Sequence, residues 1–294
     1  MRIDAHLHVF APQSDQFPRE VDETLRAERG ETVEKLLALM EEHGIDHAVL
    51  VQIGGTQLEQ HAYLLDCLRR YPTRFQGIGL IPPSLANPVP HMQALAAGGM
   101  MGFRLLDLGG PGPEHAPLQE HPIYPIWQAA AEHDFVIWLY PRLGDLPLVP
   151  RLLAAFPTTR VVLNHLGVTR GPGSFYYDET GRPRIETPFP PPIHTLLADI
   201  ARHEQVVVKL SGQYAFSNEP YPYRDLADWH QTLYHYFGAD RLMWASDFPW
   251  IVKQPGYAAL LRLVDELLPG LNAREREAIL GKTAHDFLRF RNDG

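Results

Sequence analysis

The sequence has a single cysteine, Cys67, so no disulfide can form within the chain and no thiolate cage can hold a metal. Any ion must be held by histidines and carboxylates. No apolar run approaches the roughly 20 residues that cross a bilayer. The opening Met1-Arg2-Ile3-Asp4-Ala5-His6 also lacks the charged-then-apolar order of a secretory leader, so a soluble, cytoplasmic protein without membrane association is expected. Lys and Arg number 26 against 35 Asp and Glu, a net charge of −9, and no basic cluster stands out. The electrostatic footprint of a nucleic-acid binder is therefore missing, and the expected partner is a small-molecule substrate. No internal repeat is evident.

With 45% hydrophobic and 21% charged residues, the composition is that of a chain able to bury a core. Its 294 residues are somewhat more than the roughly 250 of a typical (β/α)8 barrel. Short β-rich runs begin near 2–5, 48–52, 77–81, 102–106, 135–140, 161–164, 206–210 and 241–245, which makes eight. Segments of helical period lie between them, for example 31–43, 57–71, 122–133, 196–203 and 222–237. Eight such alternations predict a single-domain (β/α)8 TIM barrel spanning 1–294. Two further helical segments, 257–268 and 273–290, close the outer ring, with Gly281 as a break in the second.

Residues 171–192 are too rich in proline and glycine to continue a strand or a helix and read as a long loop after the sixth strand. In a barrel it emerges on the catalytic face, where Phe175, Tyr176 and Tyr177 line a lid or pack against the barrel. The same aromatics, with Tyr221-Pro222-Tyr223, suit a self-association surface, for which a homodimer is the expected form.

His6 and His8 stand two apart in a strand-like run, so their rings project from one face and can grip one ion. Asp247 ends the run Leu242-Met243-Trp244-Ala245-Ser246, and in a closed barrel the eighth strand neighbours the first. His165 likewise ends Val161-Val162-Leu163-Asn164. Of the fifteen histidines, His43, His61, His133, His203, His230 and His235 fall on helical segments, where a solvated outer face is expected.

The motifs MRIDAHLHVF, VVLNHLG and MWASDFPW, in this order, resemble the amidohydrolase superfamily. The LVQ, GFRLLD, VVVKLSG and ILGKTAHDFLRF segments are similar to its amidohydrolase-2 branch of sugar lactonases, pyrone-dicarboxylate lactonases and nonoxidative decarboxylases. The resemblance implies a divalent metal, commonly zinc with manganese as an alternative, near His6 and His8, with Asp247 as ligand or base and His165 beside the substrate. The metal-binding decarboxylases of the branch carry a histidine at the end of strand five, where this chain has Tyr140 within Trp138-Leu139-Tyr140-Pro141-Arg142. That departure is compatible with the branch's metal-independent lactonases.

Hydrolysis of a lactone or related cyclic ester of a small polar or carboxylated compound is therefore the expected activity. Asp247 is the expected general base and His165 a ligand or carbonyl-polarising group. Arg104, Tyr140, Arg142 and Lys209 are candidates for holding the substrate, Arg104 foremost, because a guanidinium inside an apolar strand suits a carboxylate. The alternatives are a metal-dependent decarboxylase of an aromatic or unsaturated acid and a barrel that binds a ligand without catalysis.

Overall fold

The computed structural model describes residues 1–290 apart from 84, 86, 113–115, 171–174, 180 and 181. In chain order its strands are β1 (Ile3–Leu7), β2 (His47–Val51), β3 (Phe75–Leu80), β4 (Met100–Leu105), β5 (Val136–Leu139), β6 (Val161–Leu163), β7 (Phe175–Tyr177), β8 (Pro183–Ile185), β9 (Val206–Leu210) and β10 (Leu242–Trp244). β1 to β6, β9 and β10 form one parallel sheet in that order, which curls into a (β/α)8 barrel. Parallel neighbours need long crossovers, and helices supply them. The main ones are α1 (Val33–His43), α2 (Ala62–Arg70), α3 (Pro88–Ala97), α4 (Tyr124–His133), α5 (Leu148–Ala155), α6 (Leu197–Ile200), α7 (Gln213–Phe216) and α8 (Ala227–Phe237). α9 (Tyr257–Leu267), α10 (Ala273–Glu277) and α11 (Thr283–Leu288) follow the last strand. No helix among the described residues is long and apolar enough to cross a membrane.

Strand alternation divides the core in two. Val136, Trp138, Val162, Val207 and Met243 fill the barrel, while Ile137, Leu139, Val161, Val208 and Leu242 face the helices. Arg104 and Lys209 take the inward phase between Phe103 and Leu105 and between Val208 and Leu210, all four of which join the outer layer. Gly102 lets β4 press on β5, since a Cβ there would lie 2.2 Å from the Val136 carbonyl oxygen.

The seam between β1 and β10 is closed just beyond the strands. Asp247 N–H donates to the His6 carbonyl (3.0 Å) and His8 N–H to that of Phe248 (2.7 Å). Below them the buried Asp4 carboxylate accepts from Ser246 N–H at 2.9 Å and from the Tyr257 hydroxyl. Asp4 thus takes the place of a missing ladder bond.

α3 and α5 form with Pro88, Pro90 and Pro150 in their first turns, where a proline costs no hydrogen bond. Several sequence expectations are corrected. Gly281 does not break the terminal helix. It sits in a π-turn (Ala278–Lys282) against the N-terminus, where a Cβ would lie 2.5 Å from the Met1 carbonyl oxygen. His61 and His230 are buried and not solvated. His61 accepts from Leu80 N–H (3.0 Å) and its Nδ1 meets the Gln57 carbonyl, while His230 is tied to Leu226 and Gln213. The 171–192 segment carries the antiparallel hairpin β7–β8 where only loop is expected. Tyr176 and Tyr177 are exposed, and the Phe175 side chain lies outside the described residues.

Candidate active site

A cavity of about 300 Å³ opens at the C-terminal end of the strands, the face on which barrel enzymes keep their chemistry. His8, Arg104, Tyr140, His165, Tyr214 and Asp247 line it, with Trp250, Phe216, Leu25 and Ile185 as apolar walls.

The first strand reaches this cavity through an irregularity. The β1–β2 register shifts between Asp4 and Leu7, so Ile3 and Ala5 belong to the barrel interior whereas Leu7 and Val9 pack outward. In an unbroken alternation His6 would share the outward face of Asp4. The bulge turns His6 and His8 inward, a common use of bulges beside active sites. Their rings lie 4.8 Å apart, and His6 and His165 are 5.0 Å apart.

Asp247 is at the centre of the group. Its Oδ1 is 3.6 Å from both His6 Nε2 and His8 Nε2, and its Oδ2 is 4.0 Å from His165 Nδ1. The Tyr214 hydroxyl donates to Oδ2 at 2.6 Å. Backbone strain holds two of these groups in place, with φ of 62° at Asp247, 41° at His165 and 60° at Leu166. Left-handed conformations cost a non-glycine residue about 1–2 kcal/mol each, a cost often found at active sites. Burial raises the pKa of Asp247, while Tyr214, Lys209 and Arg104 pull it down.

The three histidines are held neutral. Burial lowers His8 to about 3 and, with Lys209 as the next cause, sends His6 and His165 well below their usual range. Their partners choose the tautomers. His8 Nδ1 lies 2.8 Å from the Val51 carbonyl, so that nitrogen carries the proton and Nε2 offers a lone pair. His6 Nδ1 faces the Trp138 indole N–H at 3.0 Å and Lys209 Nζ. An indole can only donate, so His6 carries its proton on Nε2, toward Asp247. His165 Nδ1 is 2.9 Å from Ser211 Oγ.

His6, His165 and Asp247 each offer a ligand atom within 4.8 Å of the others, and His6 Nε2 and Asp247 Oδ1 are buried without a hydrogen-bond partner among the described residues. In spacing, burial and donor type the set fits a divalent ion. Metal-bound histidines usually donate their other N–H to an acceptor. His8 is prepared in this way, whereas His6 would first have to give up its contact with Trp138.

The remaining sequence candidates separate. Arg104 reaches the cavity, is 8% exposed and has no carboxylate at ion-pair distance among the described residues. Its Nε has no hydrogen-bond partner there, and its guanidinium lies 5.7 Å from the Tyr140 ring. Tyr140, whose hydroxyl is pushed up to about 12 by burial, lines the cavity beside His165. Lys209 does not line it. Its Nζ lies beneath His6, 5.0 Å from the Trp138 ring, and burial drives its pKa far down. Arg142 points outward, 59% exposed, and pairs with Asp107 at 3.2 Å. Sequence reasoning missed Tyr214, Phe216 and Trp250. The available signal was their place just after strand ends, in Ser211-Gly212-Gln213-Tyr214 and Asp247-Phe248-Pro249-Trp250.

Comparison with known proteins gives a family model described as amidohydrolase, matching residues 3–290. The chain is similar to a 4-sulfomuconolactone hydrolase of Rhizobium radiobacter, 25% identical over 280 residues, covering 93% of this chain and 85% of that protein. It is also similar to an L-fucono-1,5-lactonase of Burkholderia ambifaria, 28% identical over 262 residues, covering 84% and 80%. A crystal structure of an amidohydrolase from Burkholderia multivorans with bound zinc superposes with a TM-score of 0.73 at 21% identity, covering 99% of this chain and all of that one (100%).

Proposed function

Because the chain belongs to the amidohydrolase family, we propose that it is a lactonase, opening the ring of a small lactone that carries a carboxylate or a comparable anionic group. The observation that carries this reading is the Asp247 carboxylate, with Oδ2 held by Tyr214 and Oδ1 facing two imidazole nitrogens at 3.6 Å in the cavity. Two relatives act, by their names, on lactones.

In this mechanism Asp247 Oδ1 takes a proton from water as the water oxygen bonds to the lactone carbonyl carbon. The carbonyl oxygen gains negative charge, and the Tyr140 hydroxyl, a donor that lines the cavity and keeps its proton, stabilises it. The ring C–O bond then breaks, and the proton on Asp247 passes to the departing oxygen. Arg104 holds the substrate's anionic group, the pairing that its planar fork favours. Tyr140 supplies a hydroxyl on the same wall. Arg142 and Lys209, given their positions, act at the rim and beneath His6.

His6, His8, His165 and Asp247 are the residues that would hold a divalent ion, zinc or manganese. Bound there, it would lower the pKa of water to about 7 and polarise the carbonyl. The tautomer of His6 favours the route in which Asp247 acts without one. Tyr140, in place of a strand-five histidine, weakens the alternative of a metal-dependent decarboxylase. We extend the proposal to one catalytic domain over 1–294, a small-molecule substrate and a homodimer, the last to be tested by sedimentation.

The experiment is a panel of lactones with and without carboxylates, monitored together for proton release and carbon dioxide. Proton release from carboxylated lactones without carbon dioxide is the expected result. Carbon dioxide from an aromatic acid, with every lactone left intact, refutes it.

A further inference from the structure

Arg182 does not line the cavity, yet it is only 7% exposed. Its guanidinium donates to three carbonyls of one short segment, Nε to Tyr214, Nη2 to Ser217 at 2.8 Å and Nη1 to Glu219 at 2.9 Å, and it lies 4.9 Å from the Tyr223 ring. Arg182 itself stands at the end of the β7–β8 hairpin, where its N–H donates to Asp178 Oδ1 (3.0 Å) and its carbonyl accepts from Asp178 N–H (3.0 Å). A buried charge is thus committed to backbone acceptors, bolting the hairpin to the loop that follows β9.

That loop contains α7, four residues long, which starts after Gly212 at a φ of 82°. A helix this short has no stability of its own, so outside contacts fix its position. Asp225 ties its far end, through the Ser217 hydroxyl and Asn218 N–H (2.7 Å). Arg182 ties the stretch that bears Tyr214. The side chain of Tyr214 ends 2.6 Å from Asp247 Oδ2 and thereby orients Oδ1 toward the histidines.

We propose that Arg182 is a positioning residue for hydrolysis. By gathering the carbonyls of Tyr214, Ser217 and Glu219 it places the Tyr214 hydroxyl on Asp247 and fixes the direction in which that carboxylate receives a proton. This deepens the lactonase reading and rests on it. It also gives the hairpin a definite task, as a fixed brace of the site and not a mobile lid.

The test is a double-mutant cycle on the full chain with Arg182→Lys, Tyr214→Phe and their combination. Lysine keeps the charge but replaces a directed fork by a point charge, so it preserves the fold better than alanine. Each single variant is expected to lose about tenfold or more in kcat, with KM changed less than about threefold. The double variant should fall no more than about twofold below the weaker single one, because both act through the same bond. In parallel, hydrogen exchange at 212–219 should quicken in Arg182→Lys while the barrel strands stay unchanged. Multiplicative losses in the double variant, full kcat in Arg182→Lys, or unchanged exchange at 212–219 would each overturn the proposal. If the wild-type chain opens no lactone, the fault lies with the lactonase reading, and the exchange experiment still decides whether the brace exists.

Discussion

Replacing Asp247 by asparagine separates the chemistry of the site from its architecture. The amide has the shape of the carboxylate, and its oxygen can still accept from the Tyr214 hydroxyl, but it cannot take a proton from water. A positioned general base contributes about 10²- to 10⁴-fold to rate, or about 3–5 kcal/mol of barrier. No neighbour replaces it. Burial holds the three histidines neutral with little affinity for a further proton, and the Tyr140 hydroxyl is itself protonated up to about 12. Stability should move the other way. Burial raises the pKa of Asp247 above its ordinary 3.8, so above that pH the unfolded chain ionises this group freely and the folded chain does so at a cost. Asparagine removes the cost, and at pH 7 the variant should unfold at an equal or higher urea concentration than the wild type. Below the unfolded pKa both states hold the proton and the difference should vanish. Initial rates by proton release and urea unfolding by tryptophan fluorescence measure the two effects. An Asp247→Asn enzyme within tenfold of wild-type kcat, or one that is inactive because it is unfolded at pH 7, would refute the reasoning.

Three further outcomes are expected. Arg104→Met should raise KM for carboxylated lactones by about tenfold or more and leave uncharged lactones nearly unaffected, as steady-state kinetics on matched pairs would reveal. Asp4 is pushed up from 3.8 to about 6 by burial, against the pull of its Ser246 and Tyr257 hydrogen bonds. Its folded form therefore keeps a proton that the unfolded chain has released, so stability falls as pH rises from about 4 to 6, by roughly 3 kcal/mol. Urea midpoints across that window should show a larger fall in the wild type than in Asp4→Asn, which keeps only the share that Asp247 contributes. Treatment with a strong chelator followed by elemental analysis should leave a metal-free enzyme with more than about a tenth of its activity. Complete loss that zinc or manganese restores would instead make the ion essential to the Asp247 route.

The parts of the site legible in the sequence are those that alternation and strand ends determine. His165 and Asp247 can be placed because each ends an apolar run, and Arg104 and Lys209 because each breaks one at the inward phase. The bulge that turns His6 and His8 inward cannot, because it depends on how β1 meets β2 and β10. Lys209 reads as a substrate ligand, but inward phase does not give depth, and it lies one layer below the cavity. His61 and His230 read as solvated because helical spacing does not reveal which backbone groups of neighbouring elements need a partner. Arg182 and Tyr214 come together across 32 residues through the hairpin, in a stretch whose proline and glycine content conceals its strands.

The most direct test of the central claim is to run the best lactone substrate in water labelled with oxygen-18 and to examine the product by mass spectrometry. If Asp247 activates water against the ring carbonyl, a single turnover places one labelled oxygen in the new carboxylate, and the Asp247→Asn enzyme forms that product at least about a hundredfold more slowly. Unlabelled product, or labelled product formed equally fast by the variant, would contradict the account.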